Sequence, residues 1–237
     1  MSTYVYAITS ADHPLRLDDL QGVGEPPSPL RAVTADSVAA VVSDAPEGLR
    51  AKRRDVLAHE QVLEALMSDG ATLPMRFGLL GPDDARVAEV LGREADAYRQ
   101  RLAELDGHVE YNLKAARDEE DLLREIMAQS EQVRELNERS RSESATHDDR
   151  IALGELVANE VVARGGSQAE ATLERLSPAA TRASRAEPGS SHFLNVSFLV
   201  PAGSADAFVQ AVSAEADRLG DAYTFTLTGP LPPYSFV

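Results

Sequence analysis

The sequence contains no cysteine and no tryptophan, and aromatic residues make up only 5% of its 237 positions. Without cysteine there is no disulfide framework and no thiolate metal centre. With so few rings, alanine and the aliphatic residues must fill the core, which the 43% apolar content allows. Positive charge is short as well: 23 Lys and Arg stand against 39 Asp and Glu, a formal net charge of -16. That balance disfavours nucleic acid, whose phosphates need cations opposite them, and an anionic membrane surface. It reads first as a solubility device and second as a match for partners with basic patches. No apolar run approaches the roughly 20 residues of a membrane helix. The opening Met-Ser-Thr-Tyr-Val-Tyr-Ala-Ile lacks the basic start and long apolar stretch of a signal peptide. The expected location is the cytoplasm.

Catalytic patterns are missing too. There is no GxSxG nucleophile elbow, no GxxxxGK phosphate loop and no HExxH. Gly22-Val23-Gly24 does not complete GxGxxG, because Pro27 occupies the third glycine position. The histidines His13, His59, His108, His147 and His192 show no metal-ligand spacing. His59 lies near the apolar stripe of a predicted helix, where a packed histidine is expected. Acidic runs at Asp83-Asp84 and Glu119-Glu120-Asp121 open predicted helices, where negative charge complements the helix dipole. The expectation is a non-enzyme with no cofactor, no metal and no small-molecule substrate.

Tyr4, Tyr6 and Ile8 alternate with Thr3, Val5 and Ala7, predicting a strand. Residues 10–29 form a Pro/Gly/Asp-rich loop, and 32–42 hold two strands about a turn at Asp36-Ser37. A helix over 51–68 carries Val56, Leu63, Leu66 and Met67 on one stripe, and an extended piece, Ala71 to Leu80, follows. A second helix opens after Pro82 with Val87, Leu91, Ala95, Tyr98 and Leu102 inward. Strand periodicity restarts at Val109, Tyr111 and Leu113. A charged helix then spans 118–140, and another runs from 149 to 176, punctured at Gly165-Gly166. A weak strand over 179–186, a turn at Glu187-Pro188-Gly189-Ser190, a clear strand over 192–200, a helix over 204–219 and a strand through Tyr223, Phe225 and Leu227 complete the order. That helix is expected to turn Ala205, Phe208, Val209, Val212, Ala216 and Leu219 inward. The fold class is α+β with two domains. Residues 1–105 form an α+β N-terminal domain. Residues 106–228 run β-α-β-β-α-β, a ferredoxin-like arrangement with a helical insertion at about 117–176. The tail 229–237, stiffened by Pro230, Pro232 and Pro233 and carrying Leu231, Tyr234, Phe236 and Val237, is too apolar to hang free. It is expected to pack back on the N-terminal half.

Five segments, in this order, carry a resemblance. Tyr4-Val5-Tyr6-Ala7-Ile8, Ala39-Ala40-Val41-Val42-Ser43-Asp44, Ala58-His59-Glu60-Gln61-Val62-Leu63-Glu64, Leu73-Pro74-Met75-Arg76-Phe77-Gly78 and Gly229-Pro230-Leu231-Pro232-Pro233-Tyr234-Ser235-Phe236 resemble the gas vesicle protein F/L family. In that family tryptophan usually stands where this chain has Leu231. The likeness covers nearly the whole chain and does not separate the F branch from the L branch. It singles out His59, Glu60, Leu73, Pro74, Arg76, Phe77, Gly78, Gly229, Pro230, Pro232, Pro233, Tyr234 and Phe236 as motif residues. Arg76 is expected to meet a carboxylate inside its domain. The resemblance implies an accessory protein of gas vesicle assembly, located at the gas vesicle. It would contact shell protein A and other accessory proteins, with a modified ferredoxin-like second domain and no catalytic residue. A ligand-binding regulatory module is the alternative. Within the insertion, Glu131, Glu135 and Glu138 mark a possible docking arm.

Overall fold

The computed structural model describes residues 2–142, 144–187, 189 and 191–237. These divide into two compact units. The first takes the chain up to Glu110 together with Pro201–Gly203 and Pro230–Val237; the second takes Tyr111–Val200 and Ser204–Gly229. The division therefore falls inside a strand, not at 105/106, and each unit is assembled from separate stretches of chain.

In the first unit, β1 (Thr3–Ser10), β2 (Arg31–Ala35), β3 (Val38–Asp44) and β4 (Thr72–Pro74) form a sheet of order β2-β3-β1-β4, with β5 (Leu80–Gly81) also paired to β1. The β2–β3 hairpin turns at Asp36-Ser37, with Ala35 opposite Val38. Asp36 takes φ 52 there, a region that aspartate tolerates better than most residues. The alternation over residues 3–8 suggests one solvated face, yet every residue from Thr3 to Thr9 is buried. The reason is cover: α1 (Arg53–Asp69) and α3 (Ala95–Leu105) both pack against β1.

The inward face of α1 is Asp55, His59, Val62, Leu63 and Leu66. Val56 and Met67 are only partly covered, so two polar residues hold places that hydrophobicity alone assigns to apolar ones. The helix predicted after Pro82 is two helices, α2 (Asp84–Arg93) and α3, which meet at Glu94. Asp83 caps α2 by accepting from the Arg86 N–H at 2.8 Å.

In the second unit, β6 (His108–Arg117), β7 (Arg182–Arg185), β8 (Leu194–Pro201) and β9 (Tyr223–Leu231) form a sheet of order β7-β8-β6-β9. Three helices, α4 (Glu119–Gln129), α5 (Glu131–Arg141) and α6 (His147–Leu176), lie between β6 and β7 in sequence, and α7 (Ala205–Leu219) lies between β8 and β9. The single helix expected over 118–140 is broken at Ser130. That residue is extended (φ -93, ψ 109), and its hydroxyl accepts from the Val133 N–H at 3.4 Å. The Arg134 guanidinium donates to the Ala128 carbonyl at 2.5 Å, covering the end of α4. The break lets Val133 of α5 fold onto Leu122 and Ile126 of α4, with Leu153, Leu156, Val157 and Val161 of α6 against them.

The helix α6 opens on a capping box between Thr146 and Asp149 and runs straight through Gly165-Gly166. The glycines do not puncture it. A Cβ on Gly165 would lie 3.4 Å from the Phe193 Cβ, so this glycine allows a close approach within a continuous helix. On α7 the expected inward Val209 is 41% exposed, whereas Glu215 is buried and paired with Arg218. Strand β9 reaches Leu231, so the tail begins within a strand and not after it. Pro188 and Ser190 of the expected turn, and Glu143 between the two helices expected over 118–140 and 149–176, lie outside the described residues.

Gly154 and Gly166 sit inside α6 with open space where a Cβ would go. Alanine at either position should stabilise the protein by roughly 0.5–1 kcal/mol, because a helical glycine loses more backbone freedom on folding. A higher urea midpoint at unchanged slope is the expected readout.

Candidate functional site

All the motif residues but Gly229 lie in the first unit, and several of them meet there. The imidazole of His59 projects from α1 into a box of rings. It stacks on Tyr6 with centroids 5.5 Å apart at 24°, and meets Tyr4 and Phe77 edge-on, each at 5.7 Å. Hydrogen bonding fixes its state. The Met75 carbonyl can only accept, so His59 Nε2, 3.0 Å away, carries the hydrogen. Nδ1 is then free to accept from the Tyr4 hydroxyl at 2.9 Å, and the same hydroxyl oxygen accepts from the Gly78 N–H at 3.2 Å. A continuous line of polar contacts thus joins strand, helix and the 75–78 turn. Burial lowers the His59 pKa, only partly opposed by the Met75 contact, and raises that of Tyr4. Beside them the Tyr6 hydroxyl contacts the Ser43 Oγ at 3.0 Å and accepts from the Val23 N–H at 2.7 Å.

The motif residues play different parts. Leu73 and Pro74 are buried in β4, and Gly78 adopts φ 90, which favours glycine. Glu60 points outward. Arg76 is exposed and has no ion pair among the described residues, contrary to the expected carboxylate partner; the turn aims it away from the box.

The tail closes the unit. Tyr234 packs against the cluster containing Tyr4, Tyr6 and Val62, and Phe236 is buried. Glu110, itself 4% exposed, accepts from the Ser235 N–H at 2.8 Å and from the Ser235 hydroxyl at 2.7 Å. Arg101 donates to the Phe236 carbonyl at 2.8 Å. Burial, with the Glu60 and Glu110 carboxylates nearby, pushes the Tyr234 pKa up to about 12. Of the prolines, Pro233 is buried, Pro232 is half-buried and Pro230, like Gly229, is exposed.

Sequence reasoning missed Tyr4 and Tyr6 as polar anchors, Asp55 as a buried acceptor for the Gly24 N–H (3.0 Å), and Glu110 as the tail's receptor. Glu110 gave no signal of its role: with Asn112 and Lys114 it holds the polar phase of the alternation through Val109, Tyr111 and Leu113, which points to solvent.

In the second unit, Glu131, Glu135 and Glu138 are all exposed on α5, opposite the buried Val133 and Leu136, and none has an ion pair among the described residues. Nearby charges are consumed internally: Arg117 bridges Asp121 and Glu125 and lies 5.1 Å from the centre of the Tyr223 ring. Arg164 joins Glu125 at 2.6 Å and Glu160 at 3.1 Å. Among the described residues no group of His, Asp and Glu is placed to hold a metal ion, and no helix is long and apolar enough to cross a membrane.

One unit with an aromatic box closed by a proline-stiffened tail, and a second with a four-stranded sheet and three helices inserted after its first strand, define a class that sequence comparison identifies. The chain belongs to the family described as gas vesicle synthesis protein GvpL/GvpF, whose model matches residues 2–237. Gas vesicle protein F of Streptomyces sp. (strain CB03234) is 43% identical over 241 residues, covering 100% of both chains. Gas vesicle protein L of the same strain is 29% identical, covering 98% of this chain and 91% of its own length. Crystal structures of GvpF from Anabaena sp. PCC7120 and from Microcystis aeruginosa match with TM-scores of 0.85 and 0.82. Each covers 99% of this chain, with 97% and 98% of those chains matched. At 23% and 24% identity these two attest the fold.

Two outcomes follow from the box. A histidine kept neutral by burial favours the native state at high pH, because the unfolded chain binds the proton more readily. Its contribution is complete above the unfolded value of about 6.5 and is lost as pH falls through the lower native value. Urea midpoints should therefore drop on acidification from pH 7, and the drop should shrink in His59→Gln. Tyr4→Phe strands His59 Nδ1 and the Gly78 N–H, and should cost about 1–3 kcal/mol at neutral pH by the same measurement.

Proposed function

We propose that the protein is an accessory factor of gas vesicle assembly that works through protein–protein contacts, with shell protein A and other accessory proteins as partners, and without catalysis. The observation that carries this reading is full-length membership of the gas vesicle synthesis family, together with 43% identity to a gas vesicle protein F. The buried motif residues, His59, Leu73, Pro74, Pro233 and Phe236, support it: they build and close a packed core, which is a task of shape and stability. An apolar shell subunit aggregates when free, so a soluble partner that holds it before incorporation is mechanistically sensible.

On this reading the second unit is a modified ferredoxin-like module. Its strand order, with helices after β6 and after β8, supports that assignment. The helices α4–α6 are its insertion, and the exposed face of α5 is the docking arm. Glu131, Glu135 and Glu138, solvated and without ion pairs, steer encounters with a basic partner surface more than they set final affinity.

Immobilised protein tested against each gas vesicle protein in turn should retain shell protein A or an accessory protein. Reversing Glu131, Glu135 and Glu138 to lysine should slow association on the order of 10-fold or more at low salt and flatten its salt dependence, with the circular dichroism spectrum preserved. Retention of none of them would overturn the assembly reading. Unchanged association rates with a retained partner would overturn the arm.

A further inference from the structure

One stretch reverses the sign of the molecule. Arg50, Lys52, Arg53 and Arg54 stand almost consecutively at the start of α1, all exposed, on a chain of formal net charge -16. Two carboxylates beside them are already engaged. Glu25 pairs with Arg54; Asp55 is buried, accepts from the Gly24 N–H at 3.0 Å and lies 3.4 Å from Arg54. Arg50, Lys52 and Arg53 have no ion pair among the described residues. Three cations side by side repel one another, and no ion pair among the described residues offsets that repulsion.

Beside this cluster lies a groove of about 420 Å³. Gly22, Pro27, Leu57 and Ala58 give it apolar walls, and Arg53 and Gln61 stand among its lining residues. Leu57 is left 44% exposed. The loop wall is held in place. The Val23 N–H bonds to Tyr6 and the Gly24 N–H to Asp55, and a Cβ on Gly22 would lie 2.4 Å from the Ser28 carbonyl oxygen and 2.7 Å from the Tyr6 hydroxyl. The groove is therefore preformed, which lowers the entropic cost of filling it.

We propose that this groove docks an acidic, amphipathic segment of a partner protein. An aliphatic side chain enters against Pro27 and Leu57, and flanking carboxylates meet Arg50, Lys52 and Arg53. Charge complementarity fixes the sign of the occupant, and the apolar concavity asks for a side chain between the charges. A bilayer fits less well. Arg53 and Arg54 line a cavity instead of a flat face, with Lys52 and Arg50 just before them in the chain, and the acidic remainder of the surface is repelled by anionic lipid. A short segment feels mainly the charges within a Debye length, about 8 Å at physiological salt. The site lies on the first unit and has the opposite sign to the α5 arm, so it stands apart from the function proposed above.

The test is fluorescence anisotropy with a labelled peptide carrying two glutamates on either side of a single leucine, titrated with the full chain at low salt. Binding should weaken at least tenfold when the glutamates become glutamine, and equally when the leucine becomes serine. The same loss is expected for the combined Arg50→Glu, Lys52→Glu and Arg53→Glu variant and, separately, for Leu57→Ser. These side chains are exposed, and an unchanged thermal midpoint verifies that each variant is folded. Equal binding of the glutamine peptide, or full affinity in the charge variant, would overturn the proposal. So would loss in the charge variant with none in Leu57→Ser, which would leave a non-specific anion patch. Co-sedimentation with phosphatidylserine vesicles that disappears in the charge variant would assign the patch to membranes and overturn it as well.

Discussion

Tyr4 and His59 each place a polar atom in the core between a sheet and a helix, and one hydrogen bond of 2.9 Å satisfies both. Its direction is set elsewhere. Because the Met75 carbonyl takes the only hydrogen of a neutral imidazole, the Tyr4 hydroxyl has to donate, which leaves its oxygen open to the Gly78 N–H. The central strand, the first helix and the turn after β4 are thereby locked into one arrangement. Phe77 and Tyr6 then pack against the imidazole, and Tyr234 against the same cluster. A leucine at position 59 would supply the apolar contacts without orienting the turn. The fold thus gains geometric definition where an all-aliphatic core would leave freedom, at the cost of a residue that must stay uncharged.

The second unit solves a different problem. Its inserted helices have too few apolar residues to fold as independent elements, and they pool them: Leu122 and Ile126, Val133, and the Leu153–Val161 stripe make one shared cluster. Around it the arginines are divided between structure and solvent. Arg117 and Arg164 tie α4 to β6 and α6 through Glu125, while the outer glutamates of α5 remain unclaimed. The charges that tie the bundle together thus lie on β6, α4 and α6, and the glutamates without ion pairs on the solvent side of α5.

Element types were largely legible in the sequence, since periodicity reports burial and most burial here follows it. The failures share a cause. The break at Glu94 falls in a run with no cap residue, and the one at Ser130 carries a single local sign, a serine able to cap the next helix, inside a run that otherwise reads as continuous helix. Gly165-Gly166 looks like a breaker but lies within a continuous 30-residue helix, where Gly165 fits against Phe193 and Gly166 faces open space. At the site, His59 and the tail could be singled out, but their partners could not. Asp55, Glu110 and the tyrosine hydroxyls look like surface groups until a distant backbone amide is brought to them. Hydrophobic pattern reports which face turns inward, and is silent about which polar atom is expected on arrival.

The composition of the first unit bears on how the protein is made. Its sheet and helices are complete in sequence by Leu105, yet Tyr234 and Phe236 belong to its core, and Ser235 is the group that satisfies the buried carboxylate of Glu110. On a ribosome, residues 3–105 therefore emerge well before residues 234–236. The intervening polypeptide must leave the exit tunnel before Tyr234 can cover the ring cluster and Ser235 can bond to Glu110. A chain that stops short of Tyr234 would leave those rings uncovered, so the N-terminal half is finished only by residues that emerge long after it.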